Sequence, residues 1–232
     1  AGDTIHRLGA PSPQTWLYYT VSDASGNDTL DLRDFTNPSR IDMRPGTLSD
    51  VDVRTPQDWK QAFTAQAVAY YEQMGVLDGR VFDWIQPNVN EAIDRSDVRP
   101  RLWNGINALA IADGTVIENL LLGPANDTVH DNAVNNVIET GAGNDTIYLG
   151  AGGWDRIDGG TGMDVVVLPS LQQENVITLP ASHSAIITAA TYSAVLYDVE
   201  YLAAPQRRLA GVGCFFGGGA AQGYGVERMV AG

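Results

Sequence analysis

A repeat of nine residues, running from residue 122 to residue 167, constrains the fold of this chain more than any other feature. Its five copies read LGPANDTVH, DNAVNNVIE, TGAGNDTIY, LGAGGWDRID and GGTGMDVVV, and the fourth has one extra residue. Four copies end a turn-forming segment with Asp and place an apolar residue two positions later. This spacing follows the pattern G-G-x-G-x-D-x-U-x, with U a large aliphatic residue, which is typical of stacked coils that bind calcium.

Each copy combines a tight turn with a short parallel strand. Glycine suits the turn because it adopts backbone angles that other residues disfavour, and it lets carbonyl oxygens converge on an ion. Calcium is a hard cation that binds carbonyls and carboxylates, so the Asp of each turn supplies the charged ligand. The apolar residue should point inward, which predicts a buried core at Val129, Ile138, Ile147, Ile157 and Val166.

Two repeats complete one coil, so turns that are two repeats apart lie on the same side. One ladder of carboxylates is therefore expected from Asp127, Asp145 and Asp164. We expect several calcium ions between the stacked turns of this ladder. The carbonyls that would join the carboxylates lie near Gly123, Ala125, Gly141, Gly143, Gly160 and Gly162.

The opposite side carries Asn136 and Asp155, with turn glycines at Gly150 and Gly152. We expect weaker calcium binding here because Asn136 has no charge and Val134 replaces a glycine. The extra residue of the fourth copy also disturbs the loop at Gly152. A single GNDT segment is an ordinary Asx turn, but five copies in near register favour a calcium-binding stack over isolated turns.

The charge of the chain suits a calcium binder and argues against two other kinds of partner. Asp and Glu number 28 against 14 Lys and Arg, for a formal net charge of −14. That balance disfavours nucleic acid and anionic membrane surfaces, both of which attract basic patches. The single cysteine, Cys214, excludes an internal disulfide framework, so calcium would take the stabilising role. No run of about 18 apolar residues predicts a membrane span.

Residues 54–104 are predicted to be a helical insertion. Thr55 suits the N-cap and Gly75 the C-terminal cap of a helix over residues 55–74. A second short helix is predicted from Val89 to Asp94. An aromatic stripe follows the first helix at helical spacing, through Trp59, Phe63, Ala67, Tyr70, Tyr71 and Met74. Packing of this stripe onto the β-structure is favoured, and a face that docks a protein partner is the alternative.

The N-terminal residues 1–53 alternate short strands with turns. The loop SDASGNDTLDL repeats the turn chemistry of the nonapeptides and offers Asp23, Gly26 and Asp28 to an ion. RIDMRPGTLSDVDV predicts a strand, a turn and a second strand.

Residues 105–167 are predicted to be the calcium-binding β-roll that contains the nonapeptides. Residues 168–204 return to strand patterns that close the stack, since an open edge invites association. The Gly-rich residues 205–232 are expected to be poorly ordered, or ordered only on a partner. We therefore predict an all-β fold, namely a right-handed parallel β-roll with a helical insertion and antiparallel closing strands.

Four segments before the repeats, or leading into them, carry a family pattern. They are GDTIH at 2–6, TVSDASGNDTLDLRDF at 20–35, RIDMRPGTLSDV at 40–51 and GTVIENLLLGPANDTV at 114–129. Together with the repeats, they resemble the C-terminal β-roll domain of serralysin-type metalloproteases, within the wider RTX (repeats-in-toxin) group. In that family, the segments correspond to the start of the domain, its first calcium loop, a hairpin and the approach to the repeats.

The resemblance implies calcium ligation by Asp23 and Asp28 at the front, and by Glu118 with Asp127 where the repeats begin. It also implies a secreted protein that leaves the cell by type I secretion and folds on meeting calcium outside. The chain opens in mid-pattern at AGDTIH, which indicates a fragment or a processed product.

The resemblance does not extend to a protease active site. The zinc motif H-E-x-x-H is absent, and the spacings of His6, His130 and His183 fit no metalloprotease helix. No Gly-x-Ser-x-Gly elbow is present either, so we predict no catalytic residues and no enzyme.

Three functions stay open at this point. The first is a non-enzymatic calcium-binding β-roll that serves secretion, folding or assembly. The second is the non-catalytic C-terminal part of a larger secreted enzyme, such as a protease. The third is a surface adhesion or assembly subunit that docks a protein partner through helix 55–74 or the tail 205–232.

Overall fold

The computed structural model describes residues 2–9, 18–95, 98, 102–150, 152–169, 176–181 and 184–203. Within these residues the chain is mostly β, with short strands in largely parallel sheets and two helices. Both the predicted C-terminal tail and Cys214 lie outside the described residues, as does His183. No helix in this described part is long and apolar enough to cross a membrane.

The elements run as follows along the chain. The first strands are β1 (Ile5–Arg7), β2 (Tyr19–Val21), β3 (Thr29–Asp31), β4 (Arg40–Asp42) and β5 (Leu48–Ser49), and the helices are α1 (Pro56–Gln73) and α2 (Gly79–Asp94). The repeat region holds β6 (Leu109–Ile111), β7 (Asn119–Leu121), β8 (Thr128–His130), β9 (Val137–Glu139), β10 (Thr146–Tyr148), β11 (Trp154–Asp158) and β12 (Val165–Val167). The last strands are β13 (Val176–Ala181), β14 (Ser184–Thr188), β15 (Ser193–Tyr197) and β16 (Tyr201–Ala203).

From β7 to β12, consecutive strands of the repeat region alternate between two sheets. β7, β9 and β11 lie side by side in an eight-stranded sheet, whereas β8, β10 and β12 lie side by side in a five-stranded sheet. All these neighbours pair in parallel, for example Ile147 with Val129 and Ile157 with Ile138. The alternation is consistent with a β-roll, in which two repeats make one coil. A third sheet has the order β2-β6-β5.

The apolar position of each repeat forms the core, as predicted. The side chains are 0% exposed at Val129, Ile138, Ile147, Ile157 and Val166. Short strands such as β8 and β10 bury their middle residue and leave its neighbours partly exposed, as the two-residue period of a strand requires. Burying each such side chain stabilises the fold by about 1.5–3 kcal/mol.

The strands after the repeats follow the expected antiparallel arrangement only in part. β14 pairs antiparallel with both β13 and β15. However, β15 lies parallel to β11 and β16 lies parallel to β12, so each repeat sheet gains a parallel strand. The reason is the phase of the apolar residues, because Leu196 aligns with Ile157 and Leu202 aligns with Val166.

The segment 40–51 is a strand, a turn and a strand, but the two strands belong to different sheets. β4 pairs in parallel with β8, and β5 pairs antiparallel with β6. One isolated bridge, between Arg40 and Asp50, joins the backbones of the two arms, and the Asp42 N–H donates to the Ser49 hydroxyl at 2.9 Å. Ile41 is fully buried opposite Val129, so the core of the five-stranded sheet holds β4 in place.

Helix α1 begins as predicted. The Thr55 side chain accepts a hydrogen bond from the Asp58 N–H, and the Asp58 carboxylate accepts one from the Thr55 N–H. Trp59 is 1% exposed, and its indole N–H donates to the carbonyl of Trp103 at 2.9 Å. The start of the aromatic stripe therefore packs into the core, whereas Met74 at its end is 59% exposed.

Helix α2 is longer than the predicted segment Val89–Asp94. It begins at Gly79, and the Asp78 side chain caps it by accepting the Val81 N–H. Pro87 lies inside the helix without ending it. A proline removes one backbone hydrogen bond from a helix, and here Ile85 and Ile93 on either side are buried and hold the helix in place.

Candidate metal centre

The first ladder of acids is a continuous row of hydrogen bonds between turns. The Ser39 N–H donates to Oδ1 of Asp127 at 2.6 Å, and the Asp127 N–H donates to Oδ1 of Asp145 at 2.7 Å. The Asp145 N–H in turn donates to Oδ1 of Asp164 at 2.8 Å. The three carboxylates are 3%, 1% and 0% exposed. Each acid is therefore fixed by the turn that lies one coil before it.

The second carboxylate oxygens of this row are buried without a partner. Oδ2 of Asp145 and Oδ2 of Asp164 accept no hydrogen bond. Burial raises the pKa of Asp127 and Asp164 to about 7 and the pKa of Asp145 to about 6, because the charged form loses its water. Buried oxygens of this kind are costly unless a cation or a donor meets them.

Backbone carbonyls line the same spaces between turns. Gly143 has φ +131° and Gly162 has φ +143°, which other residues rarely adopt. A Cβ at Gly143 would collide with the carbonyl of Ala125, and a Cβ at Gly162 would collide with the carbonyl of Gly143. Glycine thus lets the backbone of each turn approach the carbonyls of the turn one coil before it. Further close approaches of this kind join Gly141 to Gly123 and Gly160 to Gly141.

On the second side, side-chain amides make some of the hydrogen bonds between turns, alongside the carboxylate of Asp155. The Asn136 N–H donates to Oδ1 of Asp155 at 2.9 Å. The side-chain amide of Asn136 donates to the carbonyls of Ile117 at 3.3 Å and Glu118 at 3.1 Å. Asn132 adds a 2.7 Å bond to the same carbonyl of Ile117. Two amide groups therefore bridge these turns directly.

The extra residue of the fourth repeat is absorbed within its turn. Gly152 has φ +130° and Gly153 has φ +79°, and a Cβ at Gly152 would lie 2.6 Å from the carbonyl of Ala133. The following strand keeps its register, since Ile157 still pairs with Ile138. The insertion therefore changes the loop that contains Gly150 and Gly152 but not the core.

The front loop brings Asp28 and Glu118 together. The Thr4 N–H donates to Oδ1 of Asp28 at 2.8 Å, and the Asp28 N–H donates to Oε2 of Glu118 at 2.7 Å. A Cβ at Gly26 would lie 2.6 Å from the carbonyl of Gly2 and 2.8 Å from Oδ1 of Asp28. The structure thus places Glu118 next to Asp28, whereas the strand after Asp127 lies in the other sheet. Joint ligation of an ion by Glu118 and Asp127 stays a prediction.

Asp23 has a different environment from Asp28. Its Oδ1 accepts the Ser25 N–H at 3.2 Å, and this backbone hydrogen bond is the main reason why the pKa of Asp23 is lowered. Its Oδ2 lies 3.6 Å from Nε2 of His6. A lowered pKa keeps this carboxylate ionised and available to a cation.

Glu200 is a site residue that the sequence pattern did not identify. The Asp164 N–H donates to its Oε2 at 2.7 Å, while the Glu200 and Tyr201 N–H groups both donate to the Asp164 carbonyl. Glu118 and Asn119 make the same three bonds with Asp28. The two Glu residues share a sequence signal that could have identified Glu200. Each directly precedes a short apolar strand, in VIENLL and DVEYLA. Glu200 is thus the fourth carboxylate of the first ladder.

Of the histidines that the structure describes, His6 lies beside Asp23 and His130 packs on an aromatic ring. The His130 ring stacks on Tyr148, with ring centroids 4.5 Å apart, and it is half-buried on β8. In the part of the chain that the structure describes, no three His, Cys, Asp or Glu side chains converge on one point. The spaces between turns instead combine one or two carboxylates with backbone carbonyls. Hard oxygen donors of this mixed kind suit calcium.

The comparison with known families supports this chemistry. Residues 123–153 and 135–166 match the family of RTX calcium-binding nonapeptide repeats. The stacked turns described above therefore belong to calcium-binding repeats of the RTX class. Residues 6–55 match the family described as peptidase M10 serralysin C terminal, which confirms the resemblance in the N-terminal part. Neither match is to a protease domain. No curated protein matched the chain.

Proposed function

We propose that this chain is an extracellular calcium-binding β-roll whose ions join successive coils and complete its folding. The observation that carries the proposal is the row of buried acids, in which one oxygen is fixed by the neighbouring turn. In Asp145, Asp155 and Asp164 the other oxygen is buried without a partner. The matches to RTX repeats and to the serralysin C-terminal domain support the same role.

The first ladder would hold its ions through four carboxylates. Asp127, Asp145 and Asp164 would each face an ion between turns, and Glu200 would close the far end. The carbonyls that would complete these sites belong to Gly123, Ala125, Gly141, Gly143, Gly160 and Gly162.

The front and the second side would hold further ions. At the front, Asp28 and Glu118 would act together, with Asp23 and the turn at Gly26 beside them. On the second side, Asp155 would be the charged ligand beside the turn carbonyls, which belong to Gly150 and Gly152. Asn136 would offer only a neutral oxygen, because its amide nitrogen already bridges two carbonyls.

Bound calcium would supply the positive charge that balances these buried carboxylates. The acids would then be ionised at neutral pH, and the self-repulsion of a chain with net charge −14 would fall. Extracellular calcium modules bind in the range of about 10⁻⁴–10⁻³ M. Such sites would be empty in the cytoplasm and filled outside, which suits type I secretion of an unfolded chain.

The serralysin match favours one setting for this module. A segment of the serralysin C-terminal type at residues 6–55 supports a non-catalytic C-terminal part of a larger secreted protease. An H-E-x-x-H motif upstream in the gene would test that setting.

A docking role has weaker support. Tyr70, Met74, Phe82 and Trp84 on the helices are each more than half exposed, so a surface for adhesion or assembly would lie there and not at Trp59.

A calcium titration tests the proposed function directly. Protein stripped with EGTA would be titrated with calcium and followed by far-UV circular dichroism, with magnesium as the control ion. We expect a calcium-specific gain of β structure at sub-millimolar to millimolar concentrations. A chain that is fully folded in EGTA and indifferent to calcium would refute the proposal.

A further inference from the structure

On the second side of the stack, Asn136 replaces the Asp of the repeat pattern. Asp131 is a buried acid on that side in addition to Asp155. Asp131 occupies the first position of its repeat, where the other copies have Leu122, Thr140, Leu149 and Gly159. Its side chain is only 2% exposed, and its Oδ2 accepts no hydrogen bond. A carboxylate in such a place destabilises the protein unless a positive charge meets it.

Asp131 and Asp155 are linked reciprocally across one gap. The Gly150 N–H, from the turn that carries Asp155, donates to Oδ1 of Asp131. The Asn136 N–H, from the turn that carries Asp131, donates to Oδ1 of Asp155. Each acid thus reaches across to the other turn, and each keeps one buried oxygen without a partner. Asp155 is 0% exposed.

Backbone oxygens face the same gap. A Cβ at Gly152 would lie 2.6 Å from the Ala133 carbonyl, and a Cβ at Gly153 would collide with the Val134 carbonyl. The same Cβ at Gly153 would lie 2.8 Å from Oδ1 of Asp155. Two carbonyls and two carboxylates therefore line the space between turn 131–136 and turn 150–155.

The protein itself provides little positive charge here. Burial and, to a smaller extent, the charge of Asp155 raise the pKa of Asp131 to about 7, and the Gly150 N–H and Arg44 oppose this shift only in part. The Arg44 guanidinium already binds Asp42, with Nε 2.8 Å from Oδ1. Asn136, at the position where the other four repeats have Asp, brings no charge.

We propose that Asp131 and Asp155 together bind a calcium ion between turn 131–136 and turn 150–155, with Asp131 replacing the charge that Asn136 lacks. The second side then carries a site with two carboxylates instead of the weakened site that the repeat pattern predicts. This inference rests on the proposed function, since it adds Asp131 as a second charged ligand to the ion that the second side of the same stack would hold.

Counting bound ions in three proteins tests the inference. Calcium bound to the wild-type chain, to Asp131→Asn and to the control Asp113→Asn would be counted by native mass spectrometry and by isothermal titration. Asparagine keeps an acceptor for the Gly150 N–H, and Asp113 is an exposed acid that loses the same charge. We expect Asp131→Asn to bind one ion fewer and Asp113→Asn to bind as many as the wild type.

A second variant distinguishes loss of the ion from loss of the fold. Asp131→Leu introduces the residue that Leu122 and Leu149 have at the same repeat position, where both are 4% exposed. It too should bind one ion fewer, and both variants should be at least as stable as the wild type in EGTA, because a buried unpaired acid is gone.

The results separate the two proposals. Variants that bind as many ions as the wild type, with equal affinity, would overturn the role of Asp131 and leave the β-roll intact. A wild-type chain that binds no calcium would overturn the proposed function itself.

Discussion

The backbone N–H of Asp145 donates a 2.8 Å hydrogen bond to Oδ1 of Asp164, nineteen residues further along the chain, and Oδ2 of Asp164 stays buried without a partner. The hydrogen bond sets the orientation of the carboxylate before any ion arrives. The fold therefore orients a carboxylate that we propose as a calcium ligand, and no donor meets its second oxygen. Calcium would both bind at low reorganisation cost and remove an electrostatic penalty.

Asp145→Asn should weaken calcium binding more than any other single change in the first ladder, because Asp145 lies between two ladder acids. Asparagine keeps an acceptor for the Asp127 N–H. We expect the calcium concentration at the folding midpoint to rise by about tenfold or more, because affinity depends on the number of charged ligands. Isothermal titration, with Asp113→Asn as the control, measures the effect. Equal affinities of the two variants would contradict the ladder.

Glu200→Gln should remove the site at the far end of the ladder. Glutamine keeps an acceptor for the Asp164 N–H but loses the charge. In millimolar calcium, the free energy of unfolding should fall by about 1–3 kcal/mol, and in EGTA it should barely change. Chemical denaturation in both conditions measures the difference. A loss of the same size in EGTA would show a purely structural role for Glu200.

The calcium-free protein should lose stability as pH rises from about 4 to about 7. The buried acids hold their protons up to pH about 6 or 7, whereas they ionise near their ordinary pKa of 3.8 when unfolded. In that window the folded state binds more protons, so the free energy of unfolding falls with pH. Acids with a lowered pKa, such as Asp31, change the free energy of unfolding only at pH values below this window.

The size of this pH effect is on the order of a few kcal/mol for each acid. Urea denaturation in EGTA across pH 4–8 measures it, with Asp164→Asn expected to flatten the slope. Saturating calcium should reverse the trend, because protons compete with the ion for the same oxygens. A calcium-free stability that rises between pH 5 and pH 7 would contradict the assignment of these acids as buried and uncompensated.

Trp59→Ala should destabilise the protein by about 3–5 kcal/mol, because a fully buried aromatic side chain is lost. Trp84→Ala is the matched control, since Trp84 lies on α2 and is 56% exposed. It should change stability by no more than about 0.5 kcal/mol. Thermal unfolding in calcium measures both variants. Equal losses would show that Trp84 is also part of a buried surface.

The periodic features of the fold could be predicted from sequence because they depend on local spacing. The aliphatic residue of each repeat is buried as predicted, and Thr55 starts the first helix as predicted. Glu200 escaped prediction because its partner Asp164 lies 36 residues earlier and meets it only when β16 pairs with β12. Asp131 was not predicted as a candidate ligand because the repeat pattern has its Asp at the sixth position, and Asp131 occupies the first.

The full length of α2 could not be predicted because it depends on tertiary packing. Pro87 disfavours a continuous helix when only local sequence is considered. The structure continues through it because Ile85 and Ile93 are buried on either side. The strands after the repeats illustrate the same limit, since Leu202 becomes part of a parallel sheet only through its register with Val166.

The alternation of repeats between the two sheets has a consequence for how such a chain can change length. Deleting one nonapeptide would transfer every later strand to the other sheet and carry Asp164 to the side where Asn136 now lies. Deleting or duplicating two nonapeptides would leave each remaining residue on its own side. The natural unit of duplication is therefore the pair, whereas a single extra residue, such as the one in the turn before Asp155, is tolerated wherever a loop can absorb it.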